Sequence, residues 1–261
     1  MTILYDLSKL PKETRELIEN TPKYAKLFSK KPRNLLSFAQ DAKTIKGMKY
    51  GNLTGVQYFT SSNGSGVNVC ALAQLAQCAK PCLYTAGRGK MQNVMLARLR
   101  KTLFFLQYRE EYKALLIREI KRLIRKAGKL GMIPMVRLNG TSDIRWEVEF
   151  PEVFAMFPEL QFYDYTKISN RKTKDIFNYH LTWSYSGANV QYADKLQDAL
   201  DNGMNAAVVF RKEYKLPQWR GINVTDGDKD DLRFLDPNNS IVALYAKGKA
   251  KKDTTGFVVD I

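Results

Sequence analysis

Along the chain the apolar positions change period from segment to segment, and the changes outline alternating strands and helices. The longest regular stretch runs from Met91 to Lys129. In it Leu96, Leu99, Leu103 and Leu106, then Leu115, Leu116, Ile120 and Leu123, return every three or four residues. That spacing places them on one face of a helix, with Lys and Arg filling the other, and Lys126-Ala-Gly128 offers its stop. Before it, GVQYFTSS (55–62) is a short apolar and aromatic run closed by NGSG, which predicts a strand and a turn. After it come MIPMVRLNG (132–140), QFYDYTK (161–167), HLTWSYS (180–186), NAAVVFR (205–211), GINVTDG (221–227) and SIVALYAKG (240–248), each predicted to be a strand. Helical segments stand between several of them: FPEVFAMF (150–157), SNRKTKDIF (169–177) and VQYADKLQDALDNG (190–203). Gly203 is placed as a cap on the last.

Strand–helix–strand alternation implies a parallel sheet joined by right-handed crossovers. About seven strands suit either an open doubly wound sheet or a barrel. Polar residues follow almost every apolar strand: Arg137 and Asn139, then Asp164, Thr166 and Lys167, then Ser184 and Ser186, and later Arg211 and Asp226. In a barrel such groups converge on one mouth. The expected fold is therefore α/β, a TIM-like full or partial (βα) barrel with a cysteine loop after the first strand. Residues 1–50 are basic and loosely patterned and read as an arm or cap; residues 51–261 read as one barrel-like domain.

Charge adds a second constraint. Forty-two Lys and Arg face 26 Asp and Glu, a formal net charge of +16. This predicts attraction to polyanions such as nucleic acid, or to small anionic substrates. A solvated basic face on the long helix accounts for much of it equally well. No apolar run approaches the roughly 18 residues of a membrane span, and MTILYDLSKLPKETREL lacks the layout of a secretory signal. A cytoplasmic protein with no membrane partner is expected.

The cysteines carry the sharpest chemistry. Cys70, Cys78 and Cys82 lie within thirteen residues, and the chain has no others. An odd cluster of this kind argues against a disulfide framework. Its C-x7-C-x3-C spacing lacks the paired knuckles of a structural zinc site, and a fourth zinc ligand would have to be His180, the one histidine. Three thiolates suit a [4Fe–4S] cluster, leaving one iron open to a small molecule. Inert buried thiols are the plain alternative. Thr85 to Lys90 forms a glycine-basic turn with a weak claim to an anion. Near the expected mouth, Arg137 or Lys167 suits a carboxylate or phosphate, while Asp143 or Asp164 suits a base or a cation partner, with Asn139 among them. A polar network that only closes the barrel top explains the same residues. Asp226, Asp228, Asp230, Asp231 and Arg233 read as a solvated acidic turn, and Lys247, Lys249, Lys251 and Lys252 as a basic tail.

Taken together, CALAQLAQCAKPCLYTAGRGK, RLRKTLFFLQYREEY, VRLNGTSDIRWE, FYDYTK and GDKDDLRFLDP resemble a family of phage-encoded gene products of undetermined function, across about residues 55–257. The resemblance implies a viral accessory protein in a bacterial host cytoplasm and supplies no activity. A three-cysteine loop after the first strand also resembles the radical S-adenosylmethionine enzymes, which are partial (βα)6 barrels. Their C-x3-C-x2-C pattern and glycine-glycine-glutamate element are absent, RLNGTSD standing where the latter belongs. That resemblance implies a barrel and a cluster and leaves S-adenosylmethionine open as a cofactor. The expected protein is an iron–sulfur enzyme of radical or non-redox chemistry, its [4Fe–4S] cluster on Cys70, Cys78 and Cys82. The alternative is a basic nucleic-acid-binding protein in which a metal staples a loop.

Overall fold

The computed structural model describes residues 2–38, 45, 47–82, 84, 87–215 and 217–260, so the Thr85–Lys90 turn lies partly outside the described residues. Two helices, α1 (Lys12–Asn20) and α2 (Pro22–Phe28), precede a two-residue strand β1 (Leu36–Ser37) and the first long strand β2 (Asn52–Gln57). Helices α3 (Gln92–Gln107) and α4 (Arg109–Lys129) lead to β3 (Ile133–Arg137). Short helices α5 (Trp146–Glu149) and α6 (Pro151–Met156) lead to β4 (Gln161–Thr166), which an irregular segment joins to β5 (Tyr179–Ser184). Helices α7 (Val190–Ala193) and α8 (Leu196–Asp201) precede β6 (Asn205–Phe210), followed by β7 (Gln218–Trp219), β8 (Ile222–Asp226) and β9 (Ile241–Tyr245).

The strands form one sheet in the order β1-β2-β3-β4-β5-β6-β9-β8-β7 among the described residues. Every pairing from β2 through β9 to β8 is parallel; only β1 and β7, at the two edges, run antiparallel to their neighbours. From β2 to β6 each strand is laid beside its predecessor on the same side. Right-handed crossovers that always advance in one direction leave their connections on one face of the sheet. The expectation of a barrel is met only in this sequential parallel order: the sheet stays open between β1 and β7, and no closed barrel forms.

The two faces differ accordingly. Leu53, Val136, Phe162, Leu181, Trp183, Val208 and Ile241 point to the helical side and join the main core. There Phe59, Phe105, Tyr112 and Trp146 pack with ring centroids 5.2–5.3 Å apart at the closest pairs. Burial of each ring contributes roughly 2–3 kcal/mol, and ring pairing about 1 kcal/mol more. Ile18, Phe28 and Leu35 from the N-terminal segment are fully buried in the same core. Arg100 and Lys101 of α3 tie that segment down by donating to the carbonyls of Leu27 (2.8 Å) and Leu35 (2.6 Å). On the opposite face Met135 and Tyr163 meet Leu232 and Phe234, brought there by the segment that follows β8.

Three expected helices are revised. The 91–129 stretch breaks at Tyr108, whose hydroxyl donates to Leu4 at 2.8 Å and whose ring meets Tyr5 edge-on. Its stop is Gly131, not Gly128: Gly131 adopts φ +62°, and Met132 N–H bonds to Ala127 O at 2.9 Å, as a Schellman cap requires. Residues 169–177 form no helix, because Arg171 is drawn into a buried ion-pair network. The 190–203 helix is interrupted between Ala193 and Leu196, although Gly203 does cap its end with φ +79°.

Candidate functional site

Beyond β2 the chain crosses the C-terminal edge of the sheet without forming a helix, so residues 60–82 consist of turns. Backbone and side-chain hydrogen bonds hold this segment over the strand ends. Asp143 N–H, in the loop after β3, donates to Val69 O at 2.9 Å, and Ser186 Oγ, after β5, donates to Ala76 O at 2.7 Å. Gln77 takes a left-handed conformation (φ +51°), and Cys78 N–H turns back to Ala73 O at 3.1 Å. The result is that Cys70, Cys78 and Cys82 all line one cavity of about 370 Å³ at the C-terminal end of the parallel strands.

Four of the five other expected site residues, Arg137, Asn139, Asp143 and Lys167, line the same cavity. Asp164 does not. It sits on the helical side of β4, where it accepts hydrogen bonds from Asn139 N–H (2.7 Å) and the Tyr179 hydroxyl (3.0 Å). Asn139 is spent on architecture: its Oδ1 accepts from Ser142, Ile144 N–H and the Trp146 indole, and its Nδ2 donates to Ile144 O. It shapes the loop that carries Asp143. Arg137, expected to grip a substrate anion in two-pronged fashion, is already paired through Nη1 with Asp231 at 2.6 Å. His180 lies outside the cavity, and burial followed by the nearby Arg233 charge depresses its pKa to about 4.

The acidic segment after β8 corrects the sequence reading most strongly. It is not a solvated turn. Arg233 is only 1% exposed and bonds to Asp230, while Asp228, Asp230 and Asp231 all face the cavity. Asp228 accepts from Tyr245 N–H at 3.0 Å and pairs with Lys247. The segment's burial follows from the fold, because it covers the sheet face that carries no helices. Tyr245 and Phe257 complete an apolar wall with Val209 and Leu244, and nothing in the sequence pattern marked Phe257.

Lys167 is the electrostatic centre of the site. Its backbone is locked by Asp143, which accepts its N–H at 2.7 Å, and by the Trp183 indole, which donates to its carbonyl at 3.1 Å. Its ammonium donates to the Oγ (2.8 Å) and carbonyl (3.0 Å) of Ser184 and lies 4.7 Å from the centre of the Phe257 ring. Among the described residues no carboxylate forms an ion pair with it; Asp143 turns instead to Arg171. Burial pulls the Lys167 pKa down, and the negative ends of Cys78, Cys70, Asp143 and Cys82 pull it back. Burial likewise pushes up the thiols of Cys70 and Cys82, against the nearby positive charge of Lys167. It also raises Asp143 against the opposing charge of Arg171, and lifts Asp164 to about 7.

Three sulfurs on one cavity wall are a donor set for a thiophilic metal or cluster. Among the described residues, however, no group of three or more His, Cys, Asp or Glu side chains is arranged to hold a metal ion. A single zinc ion needs its sulfurs within about 2.3 Å of one point. An iron–sulfur cubane places each cysteine on a different iron, so its sulfurs stand farther apart. What the three cysteines share is thiol chemistry and the lining of one cavity.

Comparison with known proteins gives one finding. A family model described as Gene product 88 matches residues 27–261, in agreement with the resemblance to phage gene products. No curated protein and no solved structure matches, and neither search supports the likeness to radical S-adenosylmethionine enzymes. Among the described residues no helix is long and apolar enough to cross a membrane.

Proposed function

This chain belongs to the Gene product 88 family, and from that premise we propose that it is an iron–sulfur protein of a bacterial host's cytoplasm, acting as an enzyme on a small molecule held in its cavity. Cys70, Cys78 and Cys82 hold a [4Fe–4S] cluster, with one iron left without a protein ligand. One observation carries the reading: the only three cysteines of the chain line one wall of a cavity beside a buried lysine that has no carboxylate partner among the described residues. A buried positive charge is costly unless a negative one compensates it. Three thiolates carrying a cluster of lower positive charge leave a net negative centre, and this is the countercharge that Lys167 lacks.

When bound, such a cluster supplies a Lewis-acidic or redox-active iron to the cavity. The chain's own part is to position and enclose. Asn139 fixes the loop that presents Asp143, Asp143 and Trp183 fix Lys167, and Ser184 aims its ammonium. Val209, Leu244 and Phe257 keep the far wall apolar.

Iron, labile sulfide and zinc measured on anaerobically purified protein test the reading. The expected result is about four irons and four sulfides per chain, lost in the Cys70→Ala, Cys78→Ala and Cys82→Ala variants. Lys167→Met is expected to fold while retaining less iron. Zinc alone, or no metal in the unaltered protein, overturns the proposal.

A further inference from the structure

One surface is left unexplained by the cavity itself. The chain leaving β9 forms a 3₁₀ turn, Gly248–Lys252, in which Ala250 points into the cavity while Lys249, Lys251 and Lys252 are exposed. This turn is pinned, not loose: Arg211, just past β6, donates to the carbonyls of Lys251 (3.1 Å) and Asp253 (2.7 Å). Five residues beyond the turn, Phe257 returns to line the cavity. Its neighbour Gly256 accepts from Gly187 N–H at 3.0 Å, which brings the tail against the end of β5.

Next to that junction lies a packed aromatic group, with Tyr185 and Phe210 buried in the core and Trp219 and Tyr214 half-buried against them. Arg220 is exposed and sits 4.7 Å from the Trp219 ring and 5.4 Å from the Tyr185 ring. Tyr214 stacks on Phe210 at 4.4 Å, and Lys212 stands exposed between them in sequence. Lysines on a pinned turn, the half-buried Phe257 ring that follows them, and the cavity this ring lines form a combined arrangement. Ordinary solvated lysines need neither the ring nor the cavity. A polyanion with planar, stackable groups satisfies all three.

We propose that this face binds single-stranded nucleic acid, with its phosphates on Lys249, Lys251 and Lys252 and one unstacked base in the cavity. The inference rests on the proposed function, since it names what the cavity presents to the cysteine wall. A duplex is disfavoured because a paired base cannot enter an enclosed site without being extruded. The cavity's volume lies in the range of roughly 300–1,000 Å³ usual for small-ligand pockets.

Fluorescence anisotropy with a labelled 12-nucleotide single strand, as DNA and as RNA, tests this across a salt series. Each single-strand phosphate contact contributes about 0.7 to the slope of log affinity on log salt. Replacing the three lysines (Lys249→Gln, Lys251→Gln, Lys252→Gln) is therefore expected to lower the slope by about 2 and to weaken binding about 100-fold at 0.1 M salt. The same charge removed from the far end of the molecule, by Lys121→Gln, Arg125→Gln and Lys129→Gln on α4, is expected to change binding by less than about threefold. Phe257→Ala is expected to weaken it roughly tenfold without altering the slope, as loss of a stacking partner does. The tighter of the DNA and RNA strands identifies the source of the ligand. Equal effects of the two charge triples, no salt-dependent binding by the unaltered protein, preference for duplex, or binding only to phosphatidylserine vesicles would each overturn the proposal. Iron and sulfide are measured on the same preparations. Absence of iron and sulfide from the unaltered protein sinks the cluster reading whether or not the strand binds; iron and sulfide without strand binding sink this inference alone.

Discussion

Replacing Asp164 by Asn should reverse a pH-dependent weakness built into the sheet. Asp164 is 1% exposed, and burial lifts its pKa to about 7 although Arg137, the Asn139 N–H and Arg171 all oppose the rise. In the unfolded chain an aspartate titrates near 3.9. Between these values the folded protein holds a proton that the unfolded chain has lost, so stability falls as pH rises through that window. The whole window amounts to about 4 kcal/mol, of which roughly 2–3 kcal/mol lies between pH 5 and pH 8. Asn keeps the acceptor for Asn139 N–H and does not titrate. Urea unfolding of the two proteins from pH 5 to pH 8 reads the difference directly. The unaltered protein should lose about 2–3 kcal/mol relative to Asp164→Asn across that range, with near parity at the acid end. A difference that stays flat with pH, or that grows in favour of the aspartate as pH rises, refutes the reasoning.

Arg171→Met leaves the carboxylates of Asp143 and Glu147 buried without their cation, and should cost about 3–5 kcal/mol in urea unfolding at pH 7. Gly131→Ala forces a Cβ into the left-handed cap at φ +62° and should cost about 1 kcal/mol, seen as a small fall in Tm. Ser186→Ala removes the one side-chain bond from the β5 end to Ala76 O, and hydrogen exchange at residues 69–78 should speed up at least several-fold while β3 and β4 stay protected.

The sequence by itself determined most of the segments that become strands, although the first, expected at 55–62, is Asn52–Gln57 and the two-residue edge strands β1 and β7 left no pattern. A run such as QFYDYTK or NAAVVFR reveals its period locally, and parallel pairing follows from the alternation with helices, whereas the β6-β9-β8-β7 order does not. It also singled out the cysteines, because residue identity needs no fold to be read. What it left undecided depends on contacts far apart in the chain. On the face opposite the helices lie Leu232, Phe234 and the buried Arg233, from a segment whose aspartates and Arg233 the local pattern presented as a solvated turn. The break at Tyr108 is fixed by Leu4 and Tyr5, about a hundred residues earlier. The separation of Asp164 from the cavity follows from the two-residue period of β4, on which Tyr163 and Tyr165 take the inner face. Arg137 was legible as a polar strand end, but only the approach of Asp231 settled its partner. Tertiary structure decided these points because the free energy of a buried charge or an open sheet edge depends on what lies opposite it, and sequence neighbours do not lie there.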